Sequence, residues 1–228
     1  MRLLALDTST ESCSVALLLD GEVRLRTEIT ERGHAELVLP MVDALLAEAG
    51  IALGDLDGIA FGRGPGAFTG LRIAAGVVQG LAFGAHLKVV PVSSLAAVAA
   101  QVQATPGAAV LVCNDARMGE VYWGVFRLET GGIVSALAPE SVSAPALVGE
   151  GAPIASHAAG NALLRHPVLA ERLAAQGLRL HEGLLPRADA IARLGARMLA
   201  AGEGLPADQA LPVYVRDNVA RQPGTPVT

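Results

Sequence analysis

Three short runs at the start of the chain carry apolar residues in the manner of strands: RLLALD at 2–7, SCSVALLL at 12–19 and EVRLRTEI at 22–29. The last two are joined by Asp20-Gly21, a pair that supplies the positive φ of a tight hairpin. Apolar positions then take helical spacing at 34–49, return to a strand at 57–62, pass a glycine-rich loop and predict an apolar helix at 70–85. A strand at 88–91 and a helix from Ser94 complete a βββαβα order. The order then begins again. AVLVCND at 109–115 ends in aspartate as RLLALD does, GEVYWGVFRL at 119–128 alternates, and Gly131-Gly132 turns into a third strand at 133–137. A Pro- and Ala-rich stretch at 139–153, a short strand and loop at 154–161, and helices at 162–176 and 188–201 follow. From 211 the chain reads as a short extended piece, with a Pro- and Gly-rich end at 222–228 expected to be disordered.

Two rounds of three antiparallel strands, then helices and parallel strands, predict an α/β protein of two similar subdomains facing each other across a cleft. The boundary falls at Thr105-Pro106-Gly107, giving 1–105 and 106–228. This is the plan of actin-like and sugar-kinase-like folds, in which each subdomain is a mixed sheet with flanking helices. In that plan the aspartate-ended first strands, here ending at Asp7 and Asp115, aim their following turns at the cleft, where nucleotide phosphates lie. The first turn is Asp7-Thr8-Ser9-Thr10, without the glycine that lets backbone N–H groups approach an anion. Two readings stand: Thr8, Ser9 and Thr10 satisfy a hairpin turn with their side chains, or Asp7, Ser9, Thr10, Asp115 and Arg117 keep a vestigial nucleotide site. Asp115-Ala116-Arg117 with Glu120 reads equally as a salt-bridged turn or as a clamp for a phosphate or carboxylate.

Composition narrows the classes. With 228 residues, 52% hydrophobic and 17% charged, the chain buries a real core and is not a disordered polymer. A formal charge of −5 argues against a protein that grips nucleic acid by itself, because phosphate binding needs a basic footprint. Lys88 is the only lysine, so no GK[ST] phosphate loop exists. Cys13 and Cys113 lie in separate halves with neither CxxC nor a secretory leader, which points to the reducing cytoplasm. The most apolar window, 73–85, is broken by Gln79 and falls short of the roughly 20 residues of a bilayer span, so no membrane segment is expected. There is no GxSxG elbow, HExxH pair or Cys-rich frame. His34, His86, His157, His166 and His181 are scattered and read as surface or capping residues, not metal ligands.

The sharpest local feature is GRGPGAFTGLRIAAG at 62–76, where Gly62, Gly64 and Gly66 crowd a strand-to-helix turn and Thr69 is placed as a helix N-cap. It lacks GxGxxG spacing, with Ala67 where the third glycine belongs, so its glycines read as allowing strand and helix to pack closely. In the helix behind it the strongly polar Arg72 and Gln79 fall within about 20 degrees of each other. Gly76, Gly80 and Gly84 recur every fourth position as a smooth ridge, at a cost of about 1 kcal/mol each relative to alanine. In the earlier helix Leu37, Val38, Leu39, Met41, Val42, Leu45 and Leu46 span about 200 degrees, twice one core face. Pro40 either sits in its first turn or kinks it. Such wide apolar arcs call for cover on more than one side.

Five blocks, ALDTSTESCSVAL, RGHAELVLPMVDALL, GRGPGAFTGLRIAAG, NDARMGEVYW and VYVRDNVA, together resemble the bacterial TsaB (YeaZ) family, over residues 3 to 220. The resemblance implies an actin-like (ASKHA) fold and a role in making threonylcarbamoyladenosine, the modified adenosine next to the anticodon of tRNAs that read codons beginning with A. It further implies a noncatalytic partner of the TsaD transferase, and with it of a TsaE-type ATPase, with tRNA met only through the complex. The transferase's metal-binding HxxxH falls here on His34-Ala35-Glu36-Leu37-Val38, without the second histidine, so this chain is expected to need no cofactor while ATP and metal belong to partner subunits. The family pairs through its first two helices, with TsaD or with a second copy. Carried over, the interface residues are His34, Glu36, Leu37, Val38 and Met41 on one helix and Arg72, Ile73, Gly76, Val77 and Gly80 on the other. The alternative is an ATP-dependent kinase or ATPase acting in its own cleft.

Overall fold

The computed structural model describes residues 1–216, and within them both rounds of the expected topology form. β1 (Arg2–Asp7), β2 (Ser12–Leu19) and β3 (Glu22–Ile29) make an antiparallel meander, followed by α1 (His34–Ala49), β4 (Gly58–Gly64), α2 (Phe68–Ala85), β5 (Lys88–Ser93) and α3 (Ser94–Ala99). The sheet order is β3-β2-β1-β4-β5, with β4 parallel to both β1 and β5. The second lobe repeats it. β6 (Ala109–Asp115), β7 (Val121–Leu128), β8 (Val134–Ala136) and β9 (Ser141–Ser143) are followed by β10 (His157–Gly160), α4 (Ala162–Arg165), α5 (Pro167–Ala175), β11 (Arg179–Glu182) and α6 (Ala188–Ala200). Its order is β11-β10-β6-β7-β8, with β9 also on β7.

β1 is a continuous apolar run because both of its faces are covered, as in parallel sheets between helical layers. Leu4 and Leu6 join Val38, Val42, Leu45, Ala74, Val78 and Ala82 of α1 and α2 in one core. Leu3 and Ala5 join Ile191, Ala192 and Leu194 of α6 in another. The edge strand β3 instead exposes Arg24 and Glu28, with Arg26 half-buried, charges that discourage pairing with a foreign strand. α1 begins after Gly33 and stops at Gly50, both left-handed, and Pro40 lies inside it. α2 is, by length and composition alone, apolar enough to cross a membrane, contrary to the reading of the 73–85 window. Here one face is packed on the sheet through Leu71, Ala74, Ala75, Val78 and Ala82.

The two lobes interlock through their closing helices. α3 leaves the first sheet and packs Leu95, Val98 and Ala99 against Val110, Val112 and Phe126 of the second. α6 leaves the second and packs on the first. The first sheet ends in sequence with β5 at Ser93 and the second begins with β6 at Ala109, and a cut at 105/106 would strip the first sheet of the helix covering one face.

Local differences have local causes. α2 starts at Phe68 after Ala67, so Thr69 is an exposed residue of the first turn and not the N-cap. The expected helix at 162–176 is two helices meeting at His166, because Pro167 opens α5 and disfavours helical geometry in the residue before it. β7 starts at Val121, since Arg117, Met118 and Gly119 are all left-handed, with φ of 61°, 54° and 75°. β11 was not expected; its four residues are too few to show a period. Residues 211–216 make no strand, although Val213 N–H donates to the Arg63 carbonyl at 2.8 Å. The tail at 222–228 lies outside the described residues.

α6 approaches the first sheet where Gly195 faces Ala60, and a Cβ at 195 would sit 2.5 Å from the Ala60 Cβ. Gly195→Val overpacks this contact and is expected to lower stability by about 1–3 kcal/mol. Urea unfolding should show a lower midpoint with an unchanged slope.

Candidate docking face and interlobe cleft

A cavity of about 540 Å³ opens between the lobes, and Ser9, Thr10, Asp115 and Arg117 line it. His34 and Glu36 line it too, at the start of α1. Asp7 does not. Its carboxylate is fully buried, where Oδ1 accepts from the Ser9 N–H at 2.9 Å and the Ser9 hydroxyl at 2.7 Å, and Oδ2 from the Ser94 hydroxyl at 3.3 Å. The turn's own side chains hydrogen-bond within it, Ser9 to Asp7 and Thr10 Oγ1 accepting from Ser12 N–H at 3.2 Å. The Thr8 hydroxyl donates to the Gly70 carbonyl at 2.7 Å, and the Ser9 carbonyl accepts from Ala67 N–H at 2.7 Å. Gly62, Gly66 and Gly70 are needed here: a Cβ at Gly62 would meet the Asp7 carboxylate, at Gly66 the Ser9 backbone, and at Gly70 the Thr8 carbonyl. The first turn of α2 thus packs directly on the turn that follows β1.

Across the cleft, Asp115 is tied to its neighbours. Its Oδ1 accepts from Arg117 N–H at 3.1 Å and lies 3.6 Å from His166 Nε2, while Arg117 Nη1 is 3.7 Å from Oδ2. This is the salt-bridged turn, with the Arg117 side chain largely exposed. Arg216 braces it from the far end of the chain, bonding Glu120 and the Ala116 carbonyl, the latter at 3.2 Å. Burial pushes the Cys13 and Cys113 thiols up to about 11 and about 12, which makes both poor nucleophiles. Sequence reasoning missed the pairing of His157 and His181, which meet Nδ1 to Nε2 at 3.0 Å across β10 and β11. Burial first, then His157 and Arg179, hold His181 below the ordinary imidazole range. Among the described residues no group of three or more His, Cys, Asp or Glu side chains is placed to hold a metal.

The outer face of α1 and α2 carries most of the carried-over interface residues. Glu36, Arg72, Gly76 and Gly80 are exposed, and Leu37, Met41, Ile73 and Val77 are half-buried along the rim of the core. His34 is half-buried, its Nε2 2.9 Å from the Thr10 carbonyl oxygen. Val38 must be removed from this set: it is 0% exposed and packs inward with Val15, Leu17 and Val42. The wide apolar arc of α1 therefore divides, part sealed and part open. Gly76, Gly80 and Gly84 are open as well, since a Cβ on any of them would meet nothing within 4 Å. Phe83, 79% exposed, stands beside this ridge, with Leu39 and Phe68 also exposed. Phe83 was legible from its spacing, three residues after Gly80 and seven after Gly76, which places it on the same stripe.

Two mixed sheets of one repeated topology, helices on their faces and a cleft between them define the actin-like fold. The activator of 2-hydroxyisocaproyl-CoA dehydratase from Clostridium difficile shares it at TM-score 0.50 and 10% identity, over 89% of this chain and 97% of that one. A nearer likeness is YeaZ from Pseudomonas aeruginosa, at TM-score 0.80 and 44% identity over 93% of this chain and 99% of that one. The family model described as TsaD, tRNA N6-adenosine threonylcarbamoyltransferase, matches residues 26–181. The tRNA threonylcarbamoyladenosine biosynthesis protein TsaB of Escherichia coli K12 is 41% identical over 226 residues, 96% of either chain. The chain belongs to the TsaB (YeaZ) family.

Burial raises the Asp7 carboxyl from 3.8 to about 6, against the lowering effect of the Ser9 and Ser94 hydrogen bonds and the His34 charge. Between these values the folded protein holds a proton that the unfolded chain has released, so stability falls as pH rises from about 4 to about 6. At roughly 1.4 kcal/mol per pH unit the loss is about 3 kcal/mol. Asp7→Asn keeps the shape and removes the charge. Urea unfolding across this range should show a flatter pH dependence than the parent and a gain of about 1–3 kcal/mol at pH 7.

Proposed function

We propose that this chain acts in tRNA threonylcarbamoyladenosine biosynthesis as a noncatalytic scaffold that docks a TsaD-like transferase against the outer face of α1 and α2. A TsaE-like ATPase joins through that pair, and a second copy of the chain occupies the same face when the transferase is absent. The chain itself requires no cofactor; ATP and metal belong to the partners, tRNA is met through the complex, and the work is done in the cytoplasm. The observation that carries this reading is the open glycine ridge. Three helical glycines cost about 3 kcal/mol in total relative to alanine, and nothing inside the described monomer approaches them to offset it. A partner helix seated on the ridge does so, because small residues let two backbones come close. A kinase or ATPase reading needs Asp7 in the cleft, where its carboxylate is instead enclosed by Ser9 and Ser94.

Gly76→Arg and Gly80→Arg separate docking from folding. Each added side chain enters open space and removes a helical glycine, so the monomer should be as stable as the parent or more so by about 0.5–1 kcal/mol. Pull-down with the TsaD-like subunit should nevertheless fail for both. In a reconstitution with that subunit, the TsaE-like ATPase, the threonylcarbamoyl-adenylate synthase and tRNA, these variants should give no modification, whereas Asp115→Ala should support it. Modification in the absence of this chain would overturn the proposal.

A further inference from the structure

Residues 205–216 form a strap that returns from the end of α6 across α2 to the second lobe. Leu205 exchanges backbone hydrogen bonds with Val89 at 2.9 Å, and the carbonyl of the buried Ala210 accepts from the Gln79 side chain at 3.1 Å. Val213 is held by the Arg63 carbonyl and Arg216 by Glu120 and Ala116, so Tyr214 lies between two anchored neighbours. The Tyr214 hydroxyl accepts a hydrogen bond from Arg72 Nε at 3.1 Å, and its ring lies 5.3 Å from that of Phe68. The Arg72 guanidinium in turn stacks 3.9 Å over the Phe68 ring. Arg72 is the sole charged side chain on α2, and it heads the every-fourth-residue row that continues through Gly76, Gly80 and Gly84.

We propose that Tyr214 is a positioning residue that fixes Arg72 at the head of the glycine ridge, so that the docking face offers one oriented cation to a carboxylate on the partner helix. The inference rests on the docking reading above and adds the chemistry of the partner. An arginine free on a helix surface samples many rotamers and must be ordered when a partner arrives, which weakens binding. Here the aromatic stack and the hydroxyl order it in advance. Tyr214 engages Nε, and neither Nη group has a hydrogen bond or ion pair among the described residues. A guanidinium so held suits a carboxylate, which it takes in charge-assisted and often bidentate fashion. The matching surface is a helix with small residues opposite the ridge and an Asp or Glu at the end that meets Arg72.

The test is a double-mutant cycle on the full chain, reading the Kd for the TsaD-like subunit with Tyr214→Phe, Arg72→Ala and both together. Tyr214→Phe keeps the ring and removes only the hydroxyl. It should weaken binding about three- to tenfold and leave the thermal midpoint unchanged, Arg72→Ala should weaken it at least as much, and the double variant should match Arg72→Ala alone. Unchanged binding by either single variant, or equal weakening by Tyr214→Phe in both backgrounds, overturns the inference. Self-association is measured alongside; if it alone responds, the occupant is a second copy and the proposal fails. Gly76→Arg marks the boundary between the two readings. Loss of binding there with wild-type behaviour of Tyr214→Phe defeats only the positioning role, whereas normal binding by Gly76→Arg defeats docking itself and this inference with it.

Discussion

The Ser9 carbonyl accepts the Ala67 N–H, and the Thr8 hydroxyl donates to the Gly70 carbonyl, each at 2.7 Å, so the first turn of α2 is stitched to the turn that follows β1. This contact requires glycine at 66 and 70, where any Cβ would collide with the Thr8 and Ser9 backbone. It also fixes the rotation of α2. With Leu71, Ala74, Val78 and Ala82 turned to the sheet, the 3.6-residue period leaves 72, 76, 80 and 84 on the outside. One close approach thus joins the turn after β1 to α2 and sets which side of α2 faces outward.

The glycines of this segment fall into two physical kinds. Gly62, Gly66 and Gly70 are pressed against other atoms, and their value lies in the space a side chain would have taken. Gly76, Gly80 and Gly84 touch nothing, so within the described monomer they contribute only their unfavourable helix propensity. Under the docking proposal they gain a use once a partner helix covers them. The exposed Phe83 beside them fits the same account, since a large aromatic left in water gains free energy when a partner covers it.

The two lobes that flank the cleft are held together by several contacts. The lobes are joined by the exchange of α3 and α6, and further by the Arg63–Glu140 pair at 3.2 Å and the contacts of Glu11 with Asn161 and Arg165 at 3.3 and 3.4 Å. The aspartates that head the two repeats are each occupied, Asp7 by hydroxyls and Asp115 by Arg117 and His166. In the structure their acidic groups hold turns.

The order of the strands and helices other than β9 and β11, the repeat, the hairpin at Asp20-Gly21 and the glycine row on α2 were legible in the amino-acid sequence, because each rests on local periodicity or on the φ that a residue permits. The burial of Val38, the enclosure of Asp7, the split of the 162–176 helix and the pairing of His157 with His181 were not. Three of these depend on what distant segments bring alongside, and the fourth on the local effect of Pro167 that the apolar pattern masks. Which half of the α1 arc is sealed and which left open follows from the rotation that the sheet imposes on the helix. Likewise, Tyr214 reaches Arg72 across 142 residues only because α6 crosses back to the first lobe and delivers the strap over α2. Periodicity along a chain states that a face is apolar; the packing of the whole chain decides which side of that face meets water.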